Sequence, residues 1–416
     1  METHNVIIDR STTRDYQRLF SLIVNILRRD YAGAELCRDR FDPRYYNQSV
    51  GQAWNDGILC DTLFFRYMQQ MLGCIGDRHL FLEMLPDGDY TPSTPGFTAR
   101  AAEDTLYVES VNEETRLVPG DKITAINGGH IPHHRKVIQK NFLYGDTPER
   151  EDWSLLLELA DTITVEGKGE LERKLYPLTE TTIAPTLRIE NGVALIRPGT
   201  LNGSGNTAAL LEKNRKELQS CHRLIWDCRY ADGSFEAEIS GLLPWLCRKP
   251  TRWEDLSGET EIFVNYSQRN CALRIAGLRE YPDTEDYIRE LRSAAGKGFT
   301  TETVPAEVGI IEPATNAESV ILTDVHCRFA GEILAQTARA AGARILGRPT
   351  AGTLNYCADV AAALDDRFIL HWPTAVSSRA FRGEILPCAG LEPDVLIPWT
   401  PEECRRDLLA EAAIHL

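Results

Sequence analysis

The sequence lacks the features that mark membrane and secreted proteins. No stretch approaches the roughly 18 consecutive apolar residues that a membrane-spanning helix needs, so we expect no membrane partner. The opening segment, Met1-Glu2-Thr3-His4-Asn5, has neither the basic nor the apolar part of a secretion signal. These absences predict a cytoplasmic protein.

Cysteine and histidine are present without the spacings that give them a structural or metal-binding role. The 11 cysteines are odd in number and include no CxxC pair, which favours reduced thiols over a disulfide framework. The 9 histidines are dispersed, and none belongs to an HExxH motif. We therefore expect no metal and no cofactor.

A positive charge excess is also missing. The 45 Lys and Arg residues face 61 Asp and Glu residues, giving a formal net charge of −16. Binding the phosphate backbone requires clustered cations, so nucleic acid is not an expected partner. With 43% hydrophobic and 25% charged residues the chain reads as globular, and its 416 residues predict two or three domains.

The first two predicted domains differ in their pattern of apolar and turn residues. Residues 1–88 predict a helical domain, with helices over 11–30, capped by Ser11-Thr12-Thr13, and over 52–73, before a strand at 79–84. Residues 89–180 contain short apolar runs separated by turn residues and predict a small β domain.

Residues 181–416 predict an α/β core with a largely parallel sheet. Buried-type strands at 193–196, 224–227 and 319–323 are each followed by a helical pattern, at about 206–218, 236–246 and 329–341. The segment at about 250–315 breaks this alternation and is interpreted as an insertion with a helix near 284–294. A helix over 401–413 is expected to close the chain.

One stretch of the β domain resembles PDZ domains. Val118-Pro119-Gly120-Asp121-Lys122-Ile123-Thr124-Ala125-Ile126-Asn127-Gly128 is similar to their most recognisable segment. Upstream, Pro95-Gly96-Phe97 matches a carboxylate-binding loop, whose N–H groups capture a peptide C-terminus. The resemblance implies that Gly96 and Phe97 bind a peptide or a protein C-terminus.

Four further motifs flank this module in a characteristic order: Gly76-Asp77-Arg78-His79, Asp227-Cys228-Arg229, Ala330-Gly331-Glu332-Ile333-Leu334 and Gly390-Leu391-Glu392-Pro393-Asp394. Over nearly the whole chain, this order resembles the tail-specific (C-terminal processing) serine peptidase family, including its tricorn-like branch. The resemblance implies an α/β fold with a crotonase-like (ClpP/crotonase-type) core, a helical N-terminal domain and a PDZ-like domain. It also implies a serine nucleophile at a helix N-terminus, served by a lysine or a histidine base.

The chain departs from this family at the catalytic positions. Phe329 stands where the family has its serine, and a phenyl ring has no nucleophilic atom. Thr353 stands where one branch has its lysine, whereas His79 matches the histidine of the tricorn-like branch. The position of a further acidic residue is occupied by Pro387, with Glu384 nearby.

The segment that supplies oxyanion contacts is altered as well. The family's glycine-rich turn is replaced by Tyr230-Ala231-Asp232-Gly233-Ser234, in which only Gly233 is kept. By resemblance, Gly233, Ala330 and Gly331 are the backbone positions that border the peptide. Asp227 and Arg229 are expected to pair at a strand end.

Three residues are conceivable replacements for the lost nucleophile. Cys327 lies two residues before Phe329, beside His326, and a thiolate is a capable nucleophile. Ser377 and Ser378 are further candidates, without a supporting motif.

The sequence leaves three functions open. The favoured hypothesis is a catalytically inactive pseudopeptidase that binds peptides or protein C-termini. The second is an active serine- or cysteine-type endopeptidase with a relocated nucleophile, for which Cys327 and His79 are the candidate pair. The third is an assembly protein that forms homo-oligomers through its PDZ-like domain.

Overall fold

The three-dimensional structure is a computed structural model. It describes residues 15–39, 41–85, 93–141, 151–178, 182–233, 236–256, 261–279, 281–303, 309–384 and 390–415. In this part of the chain no helix is both long and apolar enough to cross a bilayer, and every cysteine is a free thiol.

The N-terminal region is helical. Its helices are α1 (Tyr16–Arg29), α2 (Pro43–Asn55) and α3 (Asp61–Gly73), followed by strand β1 (Phe81–Met84). The single helix expected over 52–73 is wrong, because residues 56–60 separate α2 from α3. The expected cap at 11–13 lies outside the described residues; in the structure, the side chain of Asp15 accepts the Arg18 N–H at the start of α1.

A β domain follows. Its elements are β2 (Ser93–Thr94), β3 (Phe97–Ala102), β4 (Thr105–Val111), β5 (Lys122–Ile126), β6 (Gly129–His130), α4 (Ile131–Asn141), α5 (Ser154–Leu159), β7 (Thr162–Val165), β8 (Gly169–Glu172) and β9 (Tyr176–Pro177). Strands β3-β4-β5-β7-β8 form one antiparallel sheet, with β6 beside β5. Strands β2 and β9 pair separately. The first and last strands of this domain therefore pair with each other.

The rest of the chain alternates strands and helices. The elements up to residue 311 are β10 (Thr186–Glu190), β11 (Val193–Arg197), α6 (Asn206–Lys213), α7 (Arg215–Gln219), β12 (Arg223–Asp227), a 3-10 helix (Glu236–Gly241), α8 (Leu243–Leu246), β13 (Thr251–Arg252), α9 (Trp253–Leu256), β14 (Glu261–Tyr266), α10 (Gln268–Leu278), α11 (Glu285–Ala294), β15 (Gly298–Thr303) and β16 (Ile310–Ile311). Those that follow are β17 (Glu318–Thr323), α12 (Ala330–Ala340), β18 (Arg344–Gly347), β19 (Tyr356–Ala363), β20 (Phe368–Ser377), α13 (Ser378–Phe381), β21 (Val395–Leu396), a 3-10 helix (Pro401–Cys404) and α14 (Leu408–His415).

The central sheet has the order β10-β11-β12-β17-β18-β21, and all its pairs are parallel except β10 with β11. Its middle strands are continuous apolar runs, Leu224–Trp226 and Val320–Leu322, which are buried on both faces as parallel strands usually are. The predicted mixed α/β fold is confirmed. Because the strands are parallel, the loops after β12 and β17 emerge at the same edge of the sheet.

A second, antiparallel sheet joins distant parts of the chain. The long strand β20 pairs with β1, β19 and β14, and β14 pairs with β15. The segment interpreted as an insertion at 250–315 therefore supplies two strands of this sheet. It also contacts the helical region, since the side-chain amide nitrogen of Asn270 donates to the carbonyl of Asp30 at 2.7 Å. The same side chain contacts β20, because Asn270 Oδ1 accepts from Trp372 Nε1 at 3.0 Å.

Other expected helices are shorter or interrupted. The pattern at 206–218 is divided between α6 and α7 at Asn214, and that at 236–246 between the 3-10 helix and α8. The closing helix expected over 401–413 is a 3-10 turn followed by α14. Backbone hydrogen bonding and local packing set such breaks, which side-chain periodicity does not reveal.

A buried arginine joins the β domain to the core. Arg100, on β3, is 4% exposed and pairs with Glu109 at 2.9 Å and with Asp324 at 3.1 Å. Its guanidinium also lies over the ring of Trp399, 5.7 Å from the centroid. Asp324 directly follows β17, so the β domain is fixed to the loop that leads to α12.

We predict that Arg100→Ala lowers the free energy of unfolding by about 3 kcal/mol, because removing one partner leaves buried carboxylates unpaired. Urea denaturation measures the loss. Arg188→Ala is the matched control, since Arg188 pairs with Glu190 at the surface and its loss should cost below about 0.5 kcal/mol. Equal effects of the two substitutions would contradict a structural role for the buried pair.

Candidate functional site

A strained turn joins the central sheet to helix α12. Phe329 occupies the N-cap position with φ 51° and ψ −123°. This backbone region suits glycine, and holding another residue there costs about 1–3 kcal/mol. Among the described non-glycine residues with positive φ, Phe329 is the one aromatic. The surrounding structure must therefore impose this conformation.

Close backbone contacts hold the turn in place. A Cβ on Gly331 would lie 2.2 Å from the carbonyl oxygen of Ala231, so α12 packs directly against the loop after β12. Arg328 N–H donates to the same carbonyl at 3.2 Å. Gly233, with φ 123°, approaches Leu201 just as closely, since an added Cβ would lie 2.1 Å from the Leu201 oxygen. Only glycine fits at these two positions.

A buried carboxylate fixes the next loop. Glu332 is fully buried and accepts hydrogen bonds from the hydroxyls of Thr350 and Thr353 and from the N–H groups of Gly352 and Thr353, at 2.9 and 2.5 Å for the latter two. Thr353 Oγ1 in turn accepts the Phe329 N–H at 2.7 Å. The residue at the expected lysine position thus holds the turn instead of activating a nucleophile.

His79 lies beside this turn, just before β1. Its Nδ1 is 2.7 Å from Asp359 Oδ2, and its Nε2 is 2.9 Å from the carbonyl oxygen of Thr353. Both partners are acceptors, so both ring nitrogens must carry a proton to satisfy them. The ring of Phe329 lies at 87° to the imidazole, with 5.0 Å between centroids. In this arrangement His79 is a cation without a free lone pair.

The electrostatic surroundings agree with this charge. Burial alone lowers the pKa of His79, but the hydrogen bond to Asp359 and the negative charge of Asp77 outweigh it and raise that pKa to about 9. Burial raises the pKa of Asp77 to about 6, against the opposing effect of the His79 charge. The carboxylate of Asp77 accepts hydrogen bonds from the Tyr31 hydroxyl at 2.9 Å and from the backbone N–H of His79 at 2.9 Å.

The backbone N–H groups nearest the turn already have acceptors. Phe329 N–H donates to Thr353 Oγ1 at 2.7 Å, Ala330 N–H to the Gly233 carbonyl at 3.0 Å, Gly331 N–H to the Arg328 carbonyl at 3.0 Å, and Gly233 N–H to Asp232 Oδ1 at 2.6 Å. An oxyanion hole requires donors that are aimed at the reacting oxygen. None of these four meets that requirement in the described geometry.

The substitute nucleophiles lie in poor surroundings. Cys327 is fully buried, and burial raises the pKa of its thiol well above the ordinary value, which disfavours the reactive thiolate. Ser378 is also fully buried, and the Ser377 hydroxyl caps α13 by accepting the Ala380 N–H. These positions suit packing and helix capping.

The sequence-predicted residues fall into two groups. The structure brings together His79, Phe329, Gly233, Ala330 and Gly331 at the carboxyl edge of the central sheet. Phe97 instead lines a separate pocket within the β domain, and Gly96 lies next to it in the chain, against the ring of Tyr176.

No motif in the sequence marks the partner of His79. Asp359 lies on β19, far along the chain from His79. Glu384, the acidic residue considered nearest, is exposed and pairs with Arg382 at 2.7 Å, while Pro387 lies outside the described residues. The pairing of β19 with β20 and of β20 with β1 brings Asp359 to the histidine.

A cleft of about 310 Å³ opens beside the Phe329 ring. It lies between α3, the strand β1, helix α5 of the β domain and the turn before α12. Its lining comprises Gln69, Leu72, Gly73, Asp77, Arg78, Leu80, Phe81, Asp152, Ser154, Glu158, Arg328 and Phe329. Within the described residues, no three His, Cys, Asp or Glu side chains come together to hold a metal ion.

Comparison with known proteins gives structural matches alone. No protein-family model matches the sequence, and no curated protein sequence does. The structure of mature CPAF matches over 95% of each chain, with 14% identity and a TM-score of 0.61. Mature CPAF complexed with lactacystin matches over 96% of each chain, with 14% identity and a TM-score of 0.62.

The chain has the fold of mature CPAF. The match covers the helical region, the β domain and the core together, since it leaves only a twentieth of either chain unaligned. A photosystem II D1 C-terminal processing protease also aligns over 94% of each chain at 14% identity, but its TM-score of 0.44 is too low to support an argument.

We predict that His79 stays protonated well above neutral pH. An NMR titration of its imidazole should give a pKa near 9, and Asp359→Asn should bring it below about 8 because the main partner that favours the cation is lost. His79→Gln identifies the signal. A pKa near the ordinary 6.5 in the unchanged protein would contradict the cationic assignment.

The same shift gives a pH dependence of stability. The folded-state pKa lies above the unfolded value of about 6.5, so the stabilisation from His79 is complete below that pH and is lost as pH rises through about 9. Asp77 titrates at lower pH, near 6, so its contribution changes mainly below the range in which His79 loses its proton. Urea midpoints across this range should fall less steeply in Asp359→Asn.

Proposed function

We propose that this chain is a tail-specific-peptidase-like protein that binds peptides or protein C-termini and does not hydrolyse them. Two lines of support are independent: the CPAF fold over nearly the whole chain, and the order of motifs around His79, Asp227 and Ala330. Fold alone does not decide activity, so the proposal depends on the chemistry of the site.

The turn at Phe329 is the observation that carries the proposal. Its strained dihedrals resemble those of a turn that presents a nucleophile, yet the side chain there is a phenyl ring. A strained backbone persists when the surrounding structure over-determines it. We infer that the chain retains the scaffold of a catalytic turn whose reacting atom has been lost.

The neighbouring groups no longer support hydrolysis. A general base needs a free lone pair directed at the proton it removes, and His79 directs Nε2 at the Thr353 carbonyl instead. The N–H groups of Phe329, Ala330 and Gly331 have internal acceptors. Restoring a serine would therefore restore neither a base nor an oxyanion hole.

The cleft provides what peptide binding requires. Phe81 is 41% exposed, and with the partly exposed ring of Phe329 it offers apolar surface for side chains. Two arginines of the cleft already have carboxylate partners, since Arg78 pairs with Asp152 at 3.8 Å and Arg328 with Asp232 at 2.7 Å. Paired arginines and exposed aromatic rings favour a peptide segment that carries apolar side chains.

The proposed domain boundaries and cellular location are those predicted from the sequence. We propose a helical domain at 1–88, a PDZ-like domain at 89–180 and a crotonase-like core at 181–416. The free thiols of the described residues are consistent with the proposed cytoplasmic location.

Peptide cleavage tests the loss of hydrolysis. We expect no products from a library of unstructured peptides, followed by mass spectrometry, either with the unchanged protein or with Phe329→Ser. An active serine peptidase acting on the same library is the positive control. Cleavage by the unchanged protein that disappears in His79→Ala would overturn the pseudopeptidase assignment.

Peptide affinity tests the cleft. Phe81→Ala should weaken binding of peptides selected from that library about tenfold, because it removes apolar contact area from the cleft. Ile310→Ala is the control, since this residue is 65% exposed and does not line the cleft. Fluorescence anisotropy measures both. Equal affinity of the two variants would place the binding surface elsewhere.

A further inference from the structure

The β domain contains a small pocket with the chemistry of a carboxylate receptor. Phe97, Leu157 and Ile163 form apolar walls, and the cationic side chains of Arg116 and Lys174 are part of its lining. Apolar walls next to cations fit a carboxylate that carries an apolar side chain, as at the end of a peptide.

The chain's own Glu114 already occupies this receptor. Glu114 is 2% exposed; its Oε1 accepts from Arg116 Nε at 2.8 Å and from the Arg116 N–H at 3.0 Å, and its Oε2 pairs with Arg116 Nη2. The hydrogen bond from Arg116 lowers the pKa of Glu114, so the group is a carboxylate at neutral pH. The free volume left in the pocket is about 10 Å³, which is hardly enough for one water molecule.

A short segment covers the adjoining loop. Strand β9 pairs with β2, placing Tyr176 opposite Thr94. The Tyr176 ring lies against Gly96 so closely that a Cβ there would be 2.7 Å from its Cδ2. The Gly96 carbonyl meanwhile accepts the N–H groups of Asn112, Glu113 and Glu114. Tyr176 thus covers the loop from outside, and Glu114 fills the pocket from within.

We propose that Glu114 is an internal substitute for a ligand carboxylate, and that this closes the β domain to peptide C-termini. The peptides taken by the unchanged protein are then internal segments, or C-termini bound without use of the carboxylate. The inference refines the proposed function by naming its ligand class and rests on that function only for the cleft; the occupied pocket is a separate observation.

Removing the internal carboxylate should open the receptor. Glu114→Ala frees the Arg116 guanidinium and leaves an apolar pocket with an excess of positive charge. Tyr176→Ala uncovers the loop without changing the charge. Glu172→Ala is the matched control: Arg116 Nη1 donates only to the Glu172 backbone carbonyl, so this change removes a negative charge from the same lining and keeps the Arg116–Glu114 pair.

The probes are unstructured octapeptides ending in Val, Leu or Phe, each prepared with a free C-terminal carboxylate and with a C-terminal amide. Affinities are measured by fluorescence anisotropy on the full chain after circular dichroism has shown that each variant is folded. We expect the unchanged protein and Glu172→Ala to bind both forms within about twofold. Glu114→Ala should prefer the carboxylate form by about tenfold or more, as a charge-assisted pair would give, and Tyr176→Ala should shift in the same direction.

The outcomes separate this inference from the proposed function. If the unchanged protein binds neither form while Glu114→Ala binds the carboxylate form, the inference holds and peptide binding in the cleft fails. If the unchanged protein binds both forms and neither Glu114→Ala nor Tyr176→Ala gains a preference, the proposed function stands and the inference is wrong. A carboxylate preference in the unchanged protein also overturns it.

Discussion

The buried carboxylate of Glu332 is the interaction on which the candidate site depends. It gathers the hydroxyls of Thr350 and Thr353 and two backbone N–H groups at the start of α12. Through Thr353 it reaches both the Phe329 N–H and His79 Nε2. A fully buried charge is tolerated only when its hydrogen bonds are satisfied, so replacing Glu332 should disturb the turn and the histidine together.

Under the proposed function, this network accounts for a peptidase-like turn that does not hydrolyse peptides. The same contacts that keep Phe329 in its strained conformation use up the hydrogen-bonding groups that an acyl-transfer reaction would need. The imidazolium of His79 pairs with Asp359 and lies near Asp77, and both carboxylates stabilise its positive charge. In this protonated form His79 has no lone pair with which to act as a general base. The backbone N–H groups and the imidazole at the turn therefore already have partners, an arrangement that suits a preorganised binding surface.

Much of the fold was predictable, and the reasons are physical. Buried parallel strands such as Leu224–Trp226 are continuous apolar runs, and glycines such as Gly331 mark close backbone approaches; both leave a local trace in the sequence. The breaks between α2 and α3 and within 206–218 leave little trace, because packing decides them. The pairing of β14 with β20 was missed because antiparallel pairing over more than a hundred residues has no local signature.

The candidate site shows the same division. Phe329 and His79 lie in motifs and could be named from the sequence, whereas Asp359 could not, because only the pairing of β19, β20 and β1 brings it to the histidine. The hydrogen-bond acceptor of each backbone N–H group at the turn likewise depends on the three-dimensional geometry and cannot be named from the sequence. The sequence shows that the nucleophile is missing at Phe329. Only the three-dimensional contacts show that the histidine and the backbone N–H groups already have hydrogen-bond partners.

The most direct test of the account is covalent labelling of Phe329→Ser with a fluorophosphonate that reacts with activated serines, followed by intact mass. We expect no adduct, because the new hydroxyl would meet an imidazolium and backbone donors that already have hydrogen-bond acceptors. A stoichiometric adduct that is lost when His79 is also replaced by alanine would contradict it, since that outcome requires a working base beside the turn.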